Sequence, residues 1–126
     1  MKNHESEEDY LESILVLSTK LPVVRSIDVA TDLGYRKSSV SVAMKNLREK
    51  KYICVSDAGY ISLTESGKEL AEMIYERHTT LTNFLIHLGV DSKTAEEDAC
   101  HMEHTMTKET FTALKKHIDT VMKSDK

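Results

Sequence analysis

Residues 26–63, SIDVATDLGYRKSSVSVAMKNLREKKYICVSDAGYISL, carry the punctuation that decides the fold. A short helix is expected from Ser26, with Ile27, Ala30 and Leu33 turned inward and a stop at Gly34. After a tight turn, Ser38 or Ser39 can cap a further helix whose Val40, Met44 and Leu47 face inward. Two helices joined by a short glycine-containing turn form a helix-turn-helix. Tyr52–Ser56 and Tyr60–Leu63 follow as β-rich runs around Asp57-Ala58-Gly59, a hairpin signal in which Gly59 is available for a positive φ.

Upstream, Ser6-Glu7-Glu8-Asp9 reads as a helix start, Leu11, Ile14 and Leu15 supply a buried stripe, and Pro22 ends the helix. Helix, helix, helix, hairpin is the order of a winged helix. Downstream, Thr64 can cap a long helix from about Glu65 to Leu88, closed by Gly89, with Leu70, Ile74, Leu81, Phe84, Leu85 and Leu88 as its apolar stripe. Its length of roughly 36 Å is too great for a small domain to bury alone. A helix with Ala95, Ala99, Met102 and Met106 follows, then one with Phe111, Leu114, Ile118 and Val121. Three such helices bury little surface by themselves, which points to a dimerisation module. The expected fold is mainly α with a small β-hairpin. Residues 1–64 form the winged helix-turn-helix DNA-binding domain, and residues 65–126 form a helical dimerisation and metal-binding domain entered by a linking helix at about 65–88.

Charge is distributed unevenly. The 126 residues carry a net charge of −4, yet residues 20–51 hold eight Lys/Arg against three Asp/Glu, a local +5 that suits a phosphate-facing surface. The bland alternative is an ordinary solvated helix face. One proline and four glycines argue against long disordered linkers. The N-terminal MKNHESEEDY is acidic and has no apolar centre, and no apolar run approaches the ~18 residues of a spanning helix, so a cytoplasmic protein with no membrane partner is expected. Of the two cysteines, Cys54 lies between Ile53 and Val55 and is expected as a packed thiol, while Cys100 reads as a ligand. His101-Met102-Glu103-His104 is not H-E-x-x-H, and neither a glycine-rich phosphate loop nor a nucleophile elbow is present, so neither catalysis nor a small-molecule substrate is expected.

The chemistry concentrates in Glu97-Asp98-Ala99-Cys100-His101-Met102-Glu103-His104. On a helix, Cys100, Glu103 and His104 stand at i, i+3 and i+4 and share a face, so a thiolate, a carboxylate and an imidazole converge as donors for a divalent metal. Further candidate ligands are Asp9 and Glu12, at i and i+3 on the first helix, and His78 on the long one. Each has a plainer reading: Asp9 completing a capping box with Ser6, Glu12 as a solvated charge, His78 as an interhelical hydrogen-bonding residue. His4, His87, His101 and His117 lack comparable neighbours and read as surface residues. On the DNA side, Tyr35, Arg36, Lys37, Ser38, Ser39, Ser41 and Val42 occupy the start of the recognition helix, where side chains reach base edges. Val42 offers only apolar contact, such as to a thymine methyl, whereas Arg25, Arg36, Lys37, Ser39 and Lys45 suit phosphate or mixed contacts.

The segments EDYLESI (8–14), SSVSVAMKNL (38–47), GYISLTESG (59–67), YERH (75–78) and EEDACHMEH (96–104) together resemble the diphtheria toxin repressor family of metal-dependent regulators, which includes iron-dependent repressors and the manganese transport regulator. The resemblance runs from about Glu7 to Ile118. It implies a homodimer of winged-helix domains that binds double-stranded operator DNA when divalent metal is present. It also implies a primary site of Asp9, Cys100, Glu103 and His104, completed by the Cys100 carbonyl and a water, with Glu12 and His78 matching a second metal position in the manganese branch. The chain mixes the two branches. The manganese branch has a carboxylate at the position of Cys100, and the iron branch has a methionine at that of Asp9. The iron branch's ancillary carboxylate and histidine fall at Thr82 and Glu96, of which Glu96 retains a ligand atom. Larger members continue into an SH3-like domain, and a short form without it is expected here.

One thiolate, one imidazole and two carboxylates make a donor set softer than an all-oxygen cage, which favours Fe²⁺, with Mn²⁺ second and Zn²⁺, Co²⁺ and Ni²⁺ expected to bind in vitro. Binding should weaken in acid, because thiol and imidazole must lose protons. An ion shared between the first helix and the helical domain would set the spacing of two recognition helices, which must match half-sites about 34 Å apart. The expected function is a metal-activated dimeric repressor of metal-uptake genes, iron-dependent in the first reading and manganese-responsive in the second. A thiol-redox winged-helix sensor using Cys100, or a constitutive DNA-binding module, are the alternatives.

Overall fold

The computed structural model describes residues 3–124, with side chains described for residues 7–123. In chain order it contains α1 (Asn3–Lys20), α2 (Ser26–Leu33), α3 (Lys37–Glu49), β1 (Ile53–Val55), β2 (Ile61–Leu63), α4 (Glu65–His87), α5 (Ser92–Met102) and α6 (Lys108–Ser124). The chain divides into two compact units, residues 1–73 and 74–126, and α4 belongs to the first through Met73 and to the second from Ile74. None of the described helices is long and apolar enough to cross a membrane.

The core of the first unit gathers Leu11 and Ile14 from α1, Val29 and Ala30 from α2, Val40, Met44 and Leu47 from α3, and Ile53 and Ile61 from the hairpin. Helix α1 begins at Asn3, so Ser6 lies inside the helix and not at its start, and the capping-box reading of Asp9 does not hold. The helix stops at Lys20, two residues before Pro22, as the restriction on residues preceding proline requires. Ser13, buried among the apolar residues of α1, donates to Asp32 of α2 at 2.7 Å, which satisfies its hydroxyl and ties the two helices.

Two expectations for the helix-turn-helix need correction. Ile27 is 45% exposed and the fully buried residue is Val29, because the inward face of α2 runs through Val29, Ala30 and Leu33. The start of α3 is Lys37, with extended Arg36 before it, so neither Ser38 nor Ser39 caps it; both lie exposed in its first turn. The turn between the helices is made as expected. Gly34 takes φ 72°, and the N–H groups of Gly34 and Tyr35 both donate to the Ala30 carbonyl, at 2.8 and 3.1 Å.

Strands β1 and β2 pair antiparallel with Ile53 opposite Leu63, Cys54 opposite Ser62 and Val55 opposite Ile61. Cys54 is therefore an exposed free thiol and not a packed one: with Ile53 buried, the alternation of a strand sends Cys54 and its partner Ser62 outward. The Ile61 N–H also donates to the Val24 carbonyl at 2.7 Å, fastening the wing to the segment that leads into α2.

At the exit of the wing, Thr64 caps α4 by accepting the Gly67 N–H at 3.1 Å, while its own N–H donates to the Tyr52 carbonyl at 3.0 Å. That carbonyl is the reason for glycine at 67: a Cβ there would lie 1.9 Å from the Tyr52 oxygen. The obstacle is backbone on both sides, so it cannot swing aside.

The second unit packs Leu81 of α4, Ala99 of α5 and Phe111 of α6 around half-buried Met102, Met106 and Leu114. Gly89, at φ 104°, closes the turn after α4, and Asp91 caps α5 by accepting from the N–H groups of Lys93 and Thr94. Met106 lies in the connection between α5 and α6 rather than on α5. Leu88, expected on the buried stripe, is 61% exposed, and Tyr75 and Ile86 are exposed with it. Lys115 of α6 pairs with Glu76 at 3.5 Å and Asp119 at 3.2 Å, a surface arrangement worth little by itself.

Gly67→Ala tests the reading of the α4 start. Alanine gains about 1 kcal/mol of helix propensity, but forcing apart two backbone segments costs more, of order 1–3 kcal/mol. The net expectation is a lower urea midpoint with an unchanged slope; a midpoint equal to or above wild type refutes the close approach.

Candidate functional site

The sequence-predicted metal ligands divide between the two units. Asp9 and Glu12 stand one turn apart on α1 of the first unit, both half-buried. His78, Glu96, Cys100, Glu103 and His104 belong to the second, on α4, α5 and the turn that follows α5. The helix ends at Met102, yet Glu103 keeps helical angles (φ −63°, ψ −22°) and its N–H donates to the Ala99 carbonyl at 2.9 Å. The i, i+3, i+4 spacing therefore brings its side chains together although two of them lie beyond the helix. One ligand atom from each of Cys100, Glu103 and His104 lies within 4.8 Å of the others.

Glu103 is the centre of this group. It is completely buried, unusual for a carboxylate. Its Oε1 lies 2.8 Å from Nδ1 of His78, while its Oε2 has no hydrogen-bond partner, with Nε2 of the buried His104 side chain 3.4 Å away. A buried carboxylate oxygen without a donor is costly, by several kcal/mol at full desolvation. A divalent cation beside Oε2, His104 and the Cys100 thiol meets that need, so the residues fit a metal. The location helps further: the carbonyls at the C-terminal end of α5 form the negative pole of that helix, where positive charge is favoured.

Arg77 holds the turn in place, and sequence reading passed over it. Buried on α4, it donates through one terminal nitrogen to the backbone carbonyls of Glu103 at 3.0 Å and Met106 at 2.8 Å, and its guanidinium lies over the Phe111 ring, 5.2 Å from the centroid. A signal was available. Ile74, Arg77 and Leu81 lie at i, i+3 and i+7, so a lone cation interrupts an apolar stripe, and that pattern demands a buried acceptor.

His78 joins the group from α4, with Nε2 4.0 Å from Glu96. Glu96 itself is exposed and borders an open cleft lined by His78, Glu97, Cys100 and His101. Thr82 carries a buried hydroxyl with no partner and supplies no carboxylate. Both cysteines are free thiols.

The DNA-facing candidates all lie in the first unit. Tyr35, Arg36, Lys37, Ser38, Ser39, Ser41, Val42 and Lys45 are exposed at the turn and along the outer face of α3, and Val42 is 60% exposed. An apolar side chain that exposed on a helix otherwise lined by Ser and Lys has no packing role. Arg25, before α2, sits over the ring of Tyr60 on the wing. The ring of Tyr35 makes an edge contact with that of buried Tyr10, 5.6 Å between centroids.

Two family models match the chain, and they meet near the start of α4 rather than at its middle. Residues 3–60 match the iron dependent repressor N-terminal DNA binding domain, and residues 64–125 match the iron dependent repressor metal binding and dimerisation domain. The chain belongs to the iron-dependent repressor family. Members of this family are metal-dependent transcriptional regulators, dimeric and DNA-binding, not enzymes. Its relatives include an uncharacterized HTH-type transcriptional regulator of Methanocaldococcus jannaschii, 36% identical over 88% of this chain and 90% of that one. Another is the transcriptional regulator MntR of Salmonella typhimurium, 35% identical over 84% of this chain and 68% of its own. Among solved structures, a manganese-dependent transcriptional repressor in complex with manganese superposes with a TM-score of 0.81 at 24% identity over 90% of this chain, and the metal-dependent regulator MtsR with 0.80 at 26% over 93%. This chain spans about half the length of those two, 52% and 53%.

Arg77→Met retains much of the side-chain volume and removes both hydrogen bonds to the α5–α6 turn. Leaving two carbonyls without their donor should cost about 2–4 kcal/mol, seen as a lower melting temperature of the metal-free protein. A melting temperature unchanged by the substitution would show that Arg77 does not hold the turn.

Proposed function

We propose that this family member is a metal-activated dimeric repressor of metal-uptake genes that takes Fe²⁺ first and Mn²⁺ second. The observation that carries the metal reading is the buried, unpartnered Oε2 of Glu103 beside His104 and Cys100. Cys100, Glu103 and His104 are the proposed primary ligands from the helical unit, with Asp9 supplied from α1; Glu12, His78 and Glu96 are proposed for a second position. A divalent cation supplies the positive charge that lets these anionic donors share one place.

The protein's own residues do the rest. Glu103 orients His78 through its other oxygen, and Arg77 fixes the backbone from which Glu103 and His104 project. Ligands drawn from both the DNA-binding unit and the helical unit make the spacing of two recognition helices depend on whether the ligands are gathered, and DNA then favours the gathered arrangement already present in the ensemble. The thiol at 100 in place of a carboxylate shifts preference towards the softer ion, which is the basis for ranking iron above manganese. Exposed Tyr75 and Ile86 on α4, with Leu88 just beyond its end, support a second copy of the chain as their cover. Double-stranded operator DNA is the proposed target, read by Val42 and the first turn of α3 and held at its phosphates by Arg25, Arg36, Lys37 and Lys45.

The experiment is anaerobic fluorescence anisotropy with a labelled duplex from upstream of the protein's own gene, with and without Fe²⁺ or Mn²⁺, and a random duplex as control. Tight binding only with metal is expected, and chelator should abolish it. Glu103→Gln should weaken metal binding by more than about 100-fold, beyond the usual cost of losing an outer-shell partner. Cys100→Asp should keep a metal response with its preference moved towards Mn²⁺. Binding indifferent to chelator overturns the sensor reading, and a response lost altogether in Cys100→Asp favours a thiol switch.

A further inference from the structure

The wing contains no cation. Residues 52–63 hold neither lysine nor arginine, and the turn at its tip carries Asp57. A hairpin of this composition is repelled by phosphate rather than attracted to it, so its contribution to DNA binding must be made through other residues.

The neighbours of the Val24–Ile61 bridge show which. The Ile61 N–H donates to the Val24 carbonyl at 2.7 Å, and the next residue along the first segment is Arg25 while the preceding one on the wing is Tyr60. The bridge brings these two side chains together. The Arg25 guanidinium lies 5.0 Å from the centroid of the Tyr60 ring and donates to its hydroxyl at 3.2 Å. The Arg25 backbone is fixed as well: its N–H donates to the Asp28 carboxylate at 2.9 Å and its carbonyl accepts from the Asp28 N–H at 2.9 Å. Arg25 is exposed, and a guanidinium has more donors than the one given to Tyr60.

We propose that Tyr60 is a positioning residue that pre-orders Arg25 as a phosphate ligand, so that the wing acts on DNA through this arginine and not through any charge of its own. The proposal rests on the DNA-binding reading above. A free arginine must surrender much rotamer freedom on reaching a phosphate; one stacked on a ring beforehand surrenders less. The ring leaves the cation's charge intact, whereas a carboxylate in the same place would neutralise it. Asp28, three residues on, accepts from the Arg25 backbone N–H.

The test is a double-substitution cycle on the full-length, metal-loaded protein. Binding to a labelled duplex is measured by anisotropy at low ionic strength, where weak complexes stay measurable, and again across a salt series. Tyr60→Ala should weaken binding about three- to tenfold, and Tyr60→Phe, which keeps the ring, should stay within about twofold of wild type. Arg25→Ala should weaken binding and lower the slope of log affinity against log salt by about 0.9 for each subunit whose arginine meets a phosphate. In the Arg25→Ala background, Tyr60→Ala should have no further effect. Tyr60→Ala equal to wild type overturns the proposal, and so does a Tyr60→Ala loss that persists undiminished without Arg25, which assigns Tyr60 a structural or direct role. A wild-type protein that binds no duplex with metal overturns the DNA-binding reading and this proposal together.

Discussion

The helical unit depends on how the end of α5 is held. A helix leaves its last carbonyls without partners, and here those of the turn bearing Glu103 and Met106 face a buried arginine from α4. The same turn presents a buried carboxylate and a buried imidazole side by side, and the contact of Oε1 with His78 repays only part of the carboxylate's desolvation. Arg77 supplies fixed positive charge to the backbone of this turn. Among the described residues of this unit, the buried polar atoms without a hydrogen-bond partner are Nε of Arg77, Oγ1 of Thr82 and Oε2 of Glu103, and only the last is anionic.

Much of this was legible in the sequence because it is set by local chemistry. Gly34, Gly59 and Gly89 all adopt positive φ where the turns were expected, and the stripe Val40, Met44, Leu47 is buried as its period requires. The spacing of Cys100, Glu103 and His104 announced a shared face. What escaped depended on partners distant in sequence. Ile27 and Val29 are both apolar and lie two apart on a short helix; only its packing against α1 and α3 decides which turns inward. Cys54 looks packed from its neighbours Ile53 and Val55, but strand alternation around buried Ile53 sends it outward. The glycine at 67 reads as a weak helix residue until the Tyr52 carbonyl is seen against it. Arg77 was legible in principle, as a charge on an apolar stripe, and was missed because basic residues on long helices are so often solvated.

Charge distribution constrains how such a protein can hold DNA. With a net charge of −4, the chain as a whole is repelled by the duplex, and only the +5 concentrated in residues 20–51 opposes this. Weak non-specific attraction places the burden on contacts that are already in register when the surfaces meet. The outer face of α3 carries Ser38, Ser39, Ser41 and Val42 beside Lys37 and Lys45, a set with few bidentate base-reading groups, so correct placement of each phosphate-binding cation matters more than their number. An arginine restrained at its backbone by Asp28 and at its guanidinium by Tyr60 answers that demand. The same logic explains why metal control can work through geometry alone: where affinity is the sum of a few well-placed contacts on two half-sites, a small change in their separation removes half of them together.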